Sequence, residues 1–556
     1  MNRRQMLGML GLTGAGAAVS PLALAAQQAG MTGLSIFNIK DYGAVGDGLT
    51  LNTAAINHTI DVCNASGGGV VYFPPGVYLA GTVVLKSNVT IYLEAGATLL
   101  GSKNLSDYLP LPGVATDKNE IAKHLIFARG LENVGLAGPG RIDGQGPAFW
   151  TSSGRIIPPE LDWKYVLGFK WMALPRISPM LEFYNCTNVH IRDVQIENSP
   201  GWTLRPVECT NVYIQGISIK NPNFGPNTDG IDPTGCRNLF ISDCSIDTGD
   251  DAICLKSEAP YGGEVKVSKN ITITNCVIRG TCNGLKFGTA TEGGYENVTV
   301  SNLVIYNDDV PYDQRIISGI ALEMVDGGWM QGVVISNIVM QRTRTPIFIR
   351  RANRKPRPDG TPGMLQGVLI ENVYATGAIL TSSITGLPGF DVEDVTLSNI
   401  RIDSEEGGKA SWMSAKIPEV PTVYPEAHIF GRLPSYGFYC RHVTGLRMKG
   451  VKFSAVTGEQ RPAIVCDDVK DLEIGDLRPA PIAGIEPAVQ LIQCQRAFIH
   501  DCWAAAGTKT FLGIQGEQTQ DIVLMNNNLT DTEQVLQTGS EISTGAVRLS
   551  GNVLKA

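Results

Sequence analysis

Three phrases decide the fold: CTNVHI (186–191), CTNVYI (209–214) and CRNLFI (236–241). Each opens on Cys, puts Asn two residues later, and then alternates apolar with outward-tolerant residues, the period of a half-buried strand. The Asn-led strand start recurs at Asn188, Asn211, Asn238, Asn270 and Asn297, at separations of 23, 27, 32 and 27 residues. A repeat at this period marks a solenoid, in which each unit buries its apolar face only by stacking on its neighbours. The pattern continues through GVVISNIVM (332–340), GVLIENVYA (367–375), DVTLSNIRI (394–402), GLRMKGVKF (445–453), DLEIGDLRP (471–479) and DIVLMNNNL (521–529). Short alternating strands without intervening helices, Asn at recurrent turns and 63 Gly favour an all-β fold, a parallel β-helix, over a horseshoe or propeller. One elongated domain over 35–556 therefore accounts for the length. At its start, NTAAINHTIDVC (52–63) places Ile56, Ile60 and Cys63 on one helical face, with Asn52 or Thr53 as N-cap. This predicts a helix that plugs the open end of the core.

Composition narrows the partners. The formal net charge is −8 and no Lys/Arg run is dense enough to follow phosphates, so nucleic acid is not an expected partner. A neutral or sugar-like ligand fits better. The first residues, MNRRQMLGMLGLTGAGAAVSPLALAAQ, read as an export signal over 1–25 that ends at Ala23-Leu24-Ala25. Arg3-Arg4 before the apolar stretch looks like the twin-arginine type, although two ordinary basic residues of a general secretion signal read similarly. Cleavage would remove two Arg and leave 43 − 53 = −10. The expected location is the bacterial periplasm or the medium outside the cell, and no later stretch is apolar enough to span a membrane. Twelve Cys in an exported chain would suggest disulfides, but the recurrence of Cys at equivalent positions predicts that most are buried free thiols.

The segment NTDGIDPTGCRNLFISDCSIDTGDDA (227–252) holds six Asp. In a β-helix, residues one coil apart lie side by side, about 4.8 Å apart in stacked strands. Asp229 is 21 and 22 residues before Asp250 and Asp251, close to one coil, so the three carboxylates should share one surface. Crowding raises at least one pKa, leaving one acid protonated and another ionised, the two roles glycosidic hydrolysis needs. Turn chemistry or calcium binding also suits acids next to Gly, and for Asp232, Asp243 and Asp247 a turn role is the expectation.

At these residues the chain resembles glycoside hydrolase family 28, the polygalacturonase and rhamnogalacturonase family of pectin-degrading hydrolases. The match includes NTDGID (227–232), TGDDAICLKS (248–257), DYGAVGDGLTLNTAAI (41–56), GQGPAFW (144–150) and NSPGWTLRP (198–206), and it spans roughly 35–400. The resemblance implies a right-handed, single-stranded, pectin-lyase-like β-helix and an inverting reaction without cofactor or metal. Asp250 would protonate the leaving oxygen, and Asp229 and Asp251 would orient and deprotonate the water, with acid and base roughly 6.5–9.5 Å apart. The substrate it implies is a plant cell-wall carbohydrate of the galacturonan or rhamnogalacturonan kind.

Two departures stand out. The family's Gly-His-Gly corresponds to CNGLKFGT (282–289), which puts Asn283, a residue that cannot titrate, at the His position. The family's Arg-Ile-Lys, which grips a substrate carboxylate, aligns with Ala321-Leu322-Glu323. An anion there would repel a uronate, so Glu323 suits the hydroxyls of a neutral sugar, an added catalytic carboxylate, or a solvated loop position. Substrate contacts are expected from Asn227, Asn283, Lys256, Lys286, Glu323 and Trp202, with His124 and Arg205 bordering the site. Arg350 and Arg351 read as surface charge. Insertions at 146–178, carrying Trp150, Trp163 and Trp171, and at 405–438 would form binding walls or simply pack on the barrel. A pectate or rhamnogalacturonan lyase and a noncatalytic carbohydrate-binding β-helix are the competing functions on such a scaffold.

Overall fold

The computed structural model describes residues 35–111, 122–154, 171–456, 458–480, 482 and 487–555. The export signal over 1–25 and Trp163 lie outside them. The described chain winds as a right-handed parallel β-helix whose coils each give up to three short strands. Thr187–Arg192, Gln195–Glu197 and Leu204–Val207 form one coil; the first two pair in parallel with Thr210–Gln215 and Ser218–Lys220 of the next. The pleat explains the repeated phrase. Val189 and Ile191 point inward and stack in register on Val212 and Ile214, then Leu239 and Ile241, while His190, Tyr213 and Phe240 point outward and stack ring on ring at 4.7 and 4.9 Å. Each buried aliphatic side chain contributes about 1.5–3 kcal/mol.

Asparagine marks the corner before these strands because the backbone there is left-handed. Asn188, Asn211, Asn238, Asn270 and Asn297 have φ between 55° and 58°, a region that costs most residues energy but that Asn tolerates. Their side chains form a ladder along the long axis: Asn211 donates to Asn188 (3.0 Å), Asn238 to Asn211 (2.9 Å), Asn270 to Asn238 (3.0 Å) and Asn297 to Asn270 (3.1 Å). A second ladder runs through Asn302, Asn337, Asn372 and Asn399. All twelve cysteines are free and buried, as expected; the Cys186 amide donates to Cys209 Sγ (3.4 Å), and burial pushes the Cys209 thiol well above its usual range.

The capping helix, α1 (Thr53–Ala65), buries Ile56, Thr59, Ile60 and Cys63 against the first coils. Asn52 occupies its N-cap position but makes no side-chain cap. Its amide instead ties the preceding loop, accepting from Val45 N (2.6 Å) and donating to Thr50 O (2.6 Å). Among the described residues no helix is long and apolar enough to cross a membrane.

Candidate active site

One column of strands carries the chemistry: β1 (Leu204–Val207), β2 (Ile253–Ser257), β3 (Asn283–Thr291), β4 (Ser318–Met324), β5 (Thr345–Arg351) and β6 (Ser382–Thr385). Between β1 and β2, Ile231 bridges Leu204 on one side and Ile253 on the other, so Asp229 enters the column just ahead of it. Successive coils are joined where the acids sit: Thr203 N donates to Asp229 O (2.9 Å), Gly230 N to Asp251 O (2.9 Å) and Ala252 N to Asn283 O (2.8 Å). The coil spacing thus brings Asp229, Asp250 and Asp251 together. Gly249, before the acid pair, has no room for a side chain; a Cβ would meet Pro222 O, Gly225 O and Thr228 Oγ1 at 2.6–2.7 Å.

Their environments push the three carboxyls apart. Burial and the neighbouring Asp251 charge raise Asp250 to about 6, against Lys286. Asp251 is held below the usual range: burial opposes its ionisation, but Lys286, Lys256 and hydrogen bonds from Cys282 and Asn283 together more than offset that. Asp251 Oδ1 accepts from Asn283 N (3.1 Å) and Nδ2 (2.8 Å), and Oδ2 meets Lys286 Nζ at 3.2 Å. Burial, Asp232 and Asp250 push Asp229 well above the usual range, and its Oδ1 is buried without a hydrogen-bond partner. At mild pH the cluster therefore holds an ionised Asp251 beside protonatable Asp250 and Asp229, a set able to give one proton and accept another.

Lys286 is the pivot of this balance. Fully buried, it faces Asp251, Glu426 (3.5 Å) and Glu323 (3.6 Å), with the Tyr424 hydroxyl at 3.4 Å. Glu323 sits on β4, sealed from solvent, and neither carboxylate oxygen has a hydrogen bond; it is not a solvated loop acid. Burial pushes its carboxyl well up despite Lys286. Asn283 and Lys286 thus stand behind Asp251, holding it, with Glu323 against Lys286, rather than on the open surface. What opens to solvent is Asn227, whose Nδ2 lies 3.5 Å from Asp250 Oδ2, together with half-buried Asp250 and Trp202.

On the other side of the acids, Lys256 meets Asp232 at 3.4 Å, and both Lys256 and Arg205 lie 4.8 Å from the Trp202 ring. Asp232 is not a turn residue: it is wholly buried, and burial raises it to about 6 against Lys256. Asp243 does serve the turn, at φ 59° and accepting from Asn275 (3.2 Å), but Asp247 is not a turn residue: it lies on the strand Ser245–Thr248, partly exposed and 3.9 Å from Arg279, its partner on the next coil. His124 is buried, with Nδ1 2.6 Å from Pro179 O and its ring stacked on Phe127. Arg205 pairs with Glu258 at 3.0 Å.

Arg350 and Arg351 are not surface charges. Arg350 is 1% exposed and donates to Gly386 O (3.0 Å) and to the carbonyl of Glu419, while Arg351 donates to Gly363 O (2.6 Å). Arg350 faces outward on β5 and Arg351 ends the strand, and loop carbonyls take up both charges. The insertions divide in the same way. Trp150 is buried, donates to Pro200 O (2.8 Å) and packs edge-on against Phe224, which also meets Trp171 at 5.0 Å. The second insertion instead delivers Tyr424 and Glu426 into the acid cluster. Neither had a signal in sequence, since both sit in an aperiodic loop.

Two groupings among the described residues could approach a metal ion: Asp250, Asp251 and Cys282, and Asp391, His442 and Asp468. One carboxylate oxygen of Asp250 thus lies within 4.8 Å of one of Asp251, closer than the roughly 6.5–9.5 Å expected of an inverting acid and base, because the two are adjacent in the chain and share one turn. In the first, burial and Asp251 push the thiol well up, so it is a donor rather than a thiolate ligand. In the second, Lys470 already supplies a cation, 3.5 Å from Asp391 and 3.7 Å from Asp468.

A parallel β-helix with paired acids of opposed proton affinity on one sheet defines a class: an acid–base hydrolase on a solenoid. Comparison with known proteins gives the family. The sequence profile of Glycosyl hydrolases family 28 matches residues 63–423, well over half of the chain, and the chain belongs to that family. It is an O-glycosyl hydrolase. It is 28% identical over 405 residues to a "Probable polygalacturonase" of Vitis vinifera, covering 69% of this chain and 76% of the relative. An endo-polygalacturonase of Pectobacterium carotovorum subsp. carotovorum is 27% identical over 337 residues, covering 59% and 78%. The crystal structure of a hyperthermoactive exopolygalacturonase from Thermotoga maritima superposes with a TM-score of 0.54 at 25% identity, over 74% of this chain and 91% of that one.

Proposed function

We propose that this chain is an inverting glycoside hydrolase of pectin-type polysaccharide or oligosaccharide, with galacturonan or rhamnogalacturonan as substrate class. Asp250 donates its proton to the leaving glycosidic oxygen. Asp251 takes a proton from the attacking water, which adds at the anomeric carbon from the opposite face in a single displacement. Asp229, whose carboxyl burial and the neighbouring acids push well up, orients that water. The observation that carries this assignment is the opposite displacement of adjacent carboxyls, Asp250 up to about 6 and Asp251 below its usual range. The names of the relatives support the pectin-type substrate.

The test is a digest of polygalacturonate, rhamnogalacturonan and rhamnose-capped oligosaccharides, with products sorted by mass and the new anomer read by NMR. Saturated product of inverted configuration, lost in D250N and in D251N, is the expected result. Unsaturated, calcium-dependent product overturns the hydrolase mechanism, and retained configuration overturns the single displacement.

Export before activity belongs to the same proposal. Twelve buried, unpaired thiols suit a chain that folds in a reducing compartment and leaves it folded. If the Arg3-Arg4 pair directs that route, replacing both with Lys leaves the protein in the cytosolic fraction; unchanged export counts against it.

A further inference from the structure

We propose that Glu426, delivered by the 405–438 loop, is a positioning residue for the proton-accepting step: it holds the two side chains that hold Asp251. This rests on the reading of Asp251 as the base. Glu426 Oε2 lies 3.4 Å from Asn283 Nδ2, and Oε1 lies 3.5 Å from Lys286 Nζ. Asn283 donates twice to Asp251 Oδ1, and Lys286 faces Oδ2 at 3.2 Å. Each oxygen of Asp251 is thus fixed by a group that Glu426 touches, and Cys282 Sγ lies 3.9 Å from Glu426 on the same side. Glu426 lies just beyond the segment that matches the family, 63–423.

The loop that brings Glu426 is tied down along its length. Arg350 donates to the carbonyls of Glu419 and Val420, and the Glu419 carboxylate pairs with Arg441 and with His442 Nε2 (3.2 Å). Tyr424 then places its hydroxyl on Lys286. With Glu426 in place, the Lys286 charge is divided among three carboxylates; without it, more of that charge falls on Asp251, which becomes a weaker base.

The experiment compares the full-length chain with E426Q, E426A and D251N. It measures kcat and KM from pH 3.5 to 7.5 on whichever of polygalacturonate and rhamnogalacturonan the wild type cleaves faster, with melting midpoints alongside. E426Q keeps the length and the hydrogen bond from Asn283 but loses the charge. Its kcat should fall roughly three- to tenfold, the attenuated effect of about one unit of lost basicity, with KM within about twofold of wild type. Its acid limb should move to lower pH. E426A, which also frees Asn283, should show the same displacement and a larger fall in kcat. Wild-type kcat and acid limb in E426Q, or variants that lose only melting temperature, overturn the proposal. D251N separates the two levels: if it is inactive while E426Q behaves as wild type, only the Glu426 inference falls. If D251N keeps wild-type kcat, or the wild type cleaves neither substrate, the assignment of Asp251 falls with it.

Discussion

Replacing Lys286 with Met tests the electrostatic core of the site. The ammonium is fully buried, and Asp251, Glu426 and Glu323 lie 3.2, 3.5 and 3.6 Å away. Met retains most of the packing volume but strands three acids around an apolar methyl. Removing one partner of a buried ion pair costs about 3–5 kcal/mol because the other charge loses its compensation. That loss should depend on pH in a definite direction. The raised pKa of Lys286 keeps its contribution fully present below the ordinary Lys range, so its own titration plays no part between pH 4.5 and 7. The carboxyls do. Burial already pushes Glu323 and Glu426 up, and without the cation they rise further, so the folded variant holds protons that the unfolded chain has released. Its stability must then fall as pH rises through that window. Urea unfolding of both proteins at pH 4.5 and pH 7, at matched ionic strength, measures the gap. It should be about 3–5 kcal/mol at pH 7 and narrower at pH 4.5 by at least ~1.4 kcal/mol, the value of one pKa unit at one carboxyl. A gap that is small at pH 7, or equal at both pH values, refutes the account of Lys286 as the counter-charge of the cluster.

The pH–rate profile should peak between the ordinary carboxylate range and about 6. Above that, kcat/KM should drop up to about tenfold per unit as Asp250 loses its proton, and a rate flat to pH 8 contradicts its role as acid. Asn238→Ala should lower stability by about 2–4 kcal/mol, combining an unfavourable left-handed Ala with the loss of two ladder hydrogen bonds, whereas Asn238→Gly should lose less; equal melting midpoints would count against the ladder argument. Thiol reagents should find no reactive cysteine in the folded protein and twelve after denaturation, so a native titre above one would show exposure the structure does not have.

The solenoid was legible because its physics is local and repeated. A left-handed corner selects Asn, the pleat imposes a period of two, and the two signals recur together from Asn188 to Asn297. The acid cluster was legible for a related reason: 21 or 22 residues is one coil, and one coil is side by side. What lay beyond reach depended on the cover. Outward positions on a strand look solvent-exposed in sequence, yet Glu323 and Arg350 lie beneath loops whose course no periodicity encodes, and Arg351 at the strand's end is buried beside them. Asp232 resembled a turn acid because its Asp-Pro context is turn-like, and only its neighbour across the coil, Lys256, shows otherwise. Asn52 held the right residue type for a cap but spends its amide on the loop before it.

The reach of the 405–438 loop bears on how the protein comes into being. Glu426 is 426 − 251 = 175 positions downstream of Asp251, so a ribosome finishes the acid pair long before it supplies the residue that braces it. At roughly 5–20 residues per second, that interval lasts on the order of ten to thirty seconds, time enough for coils to stack as they emerge. Asp251, Lys286 and Glu323 are therefore all present in a nascent chain before Glu426 is made. The brace on the acid pair is thus made later than the pair itself, and the step it tunes by a few-fold reaches full rate only once the 405–438 strap is seated.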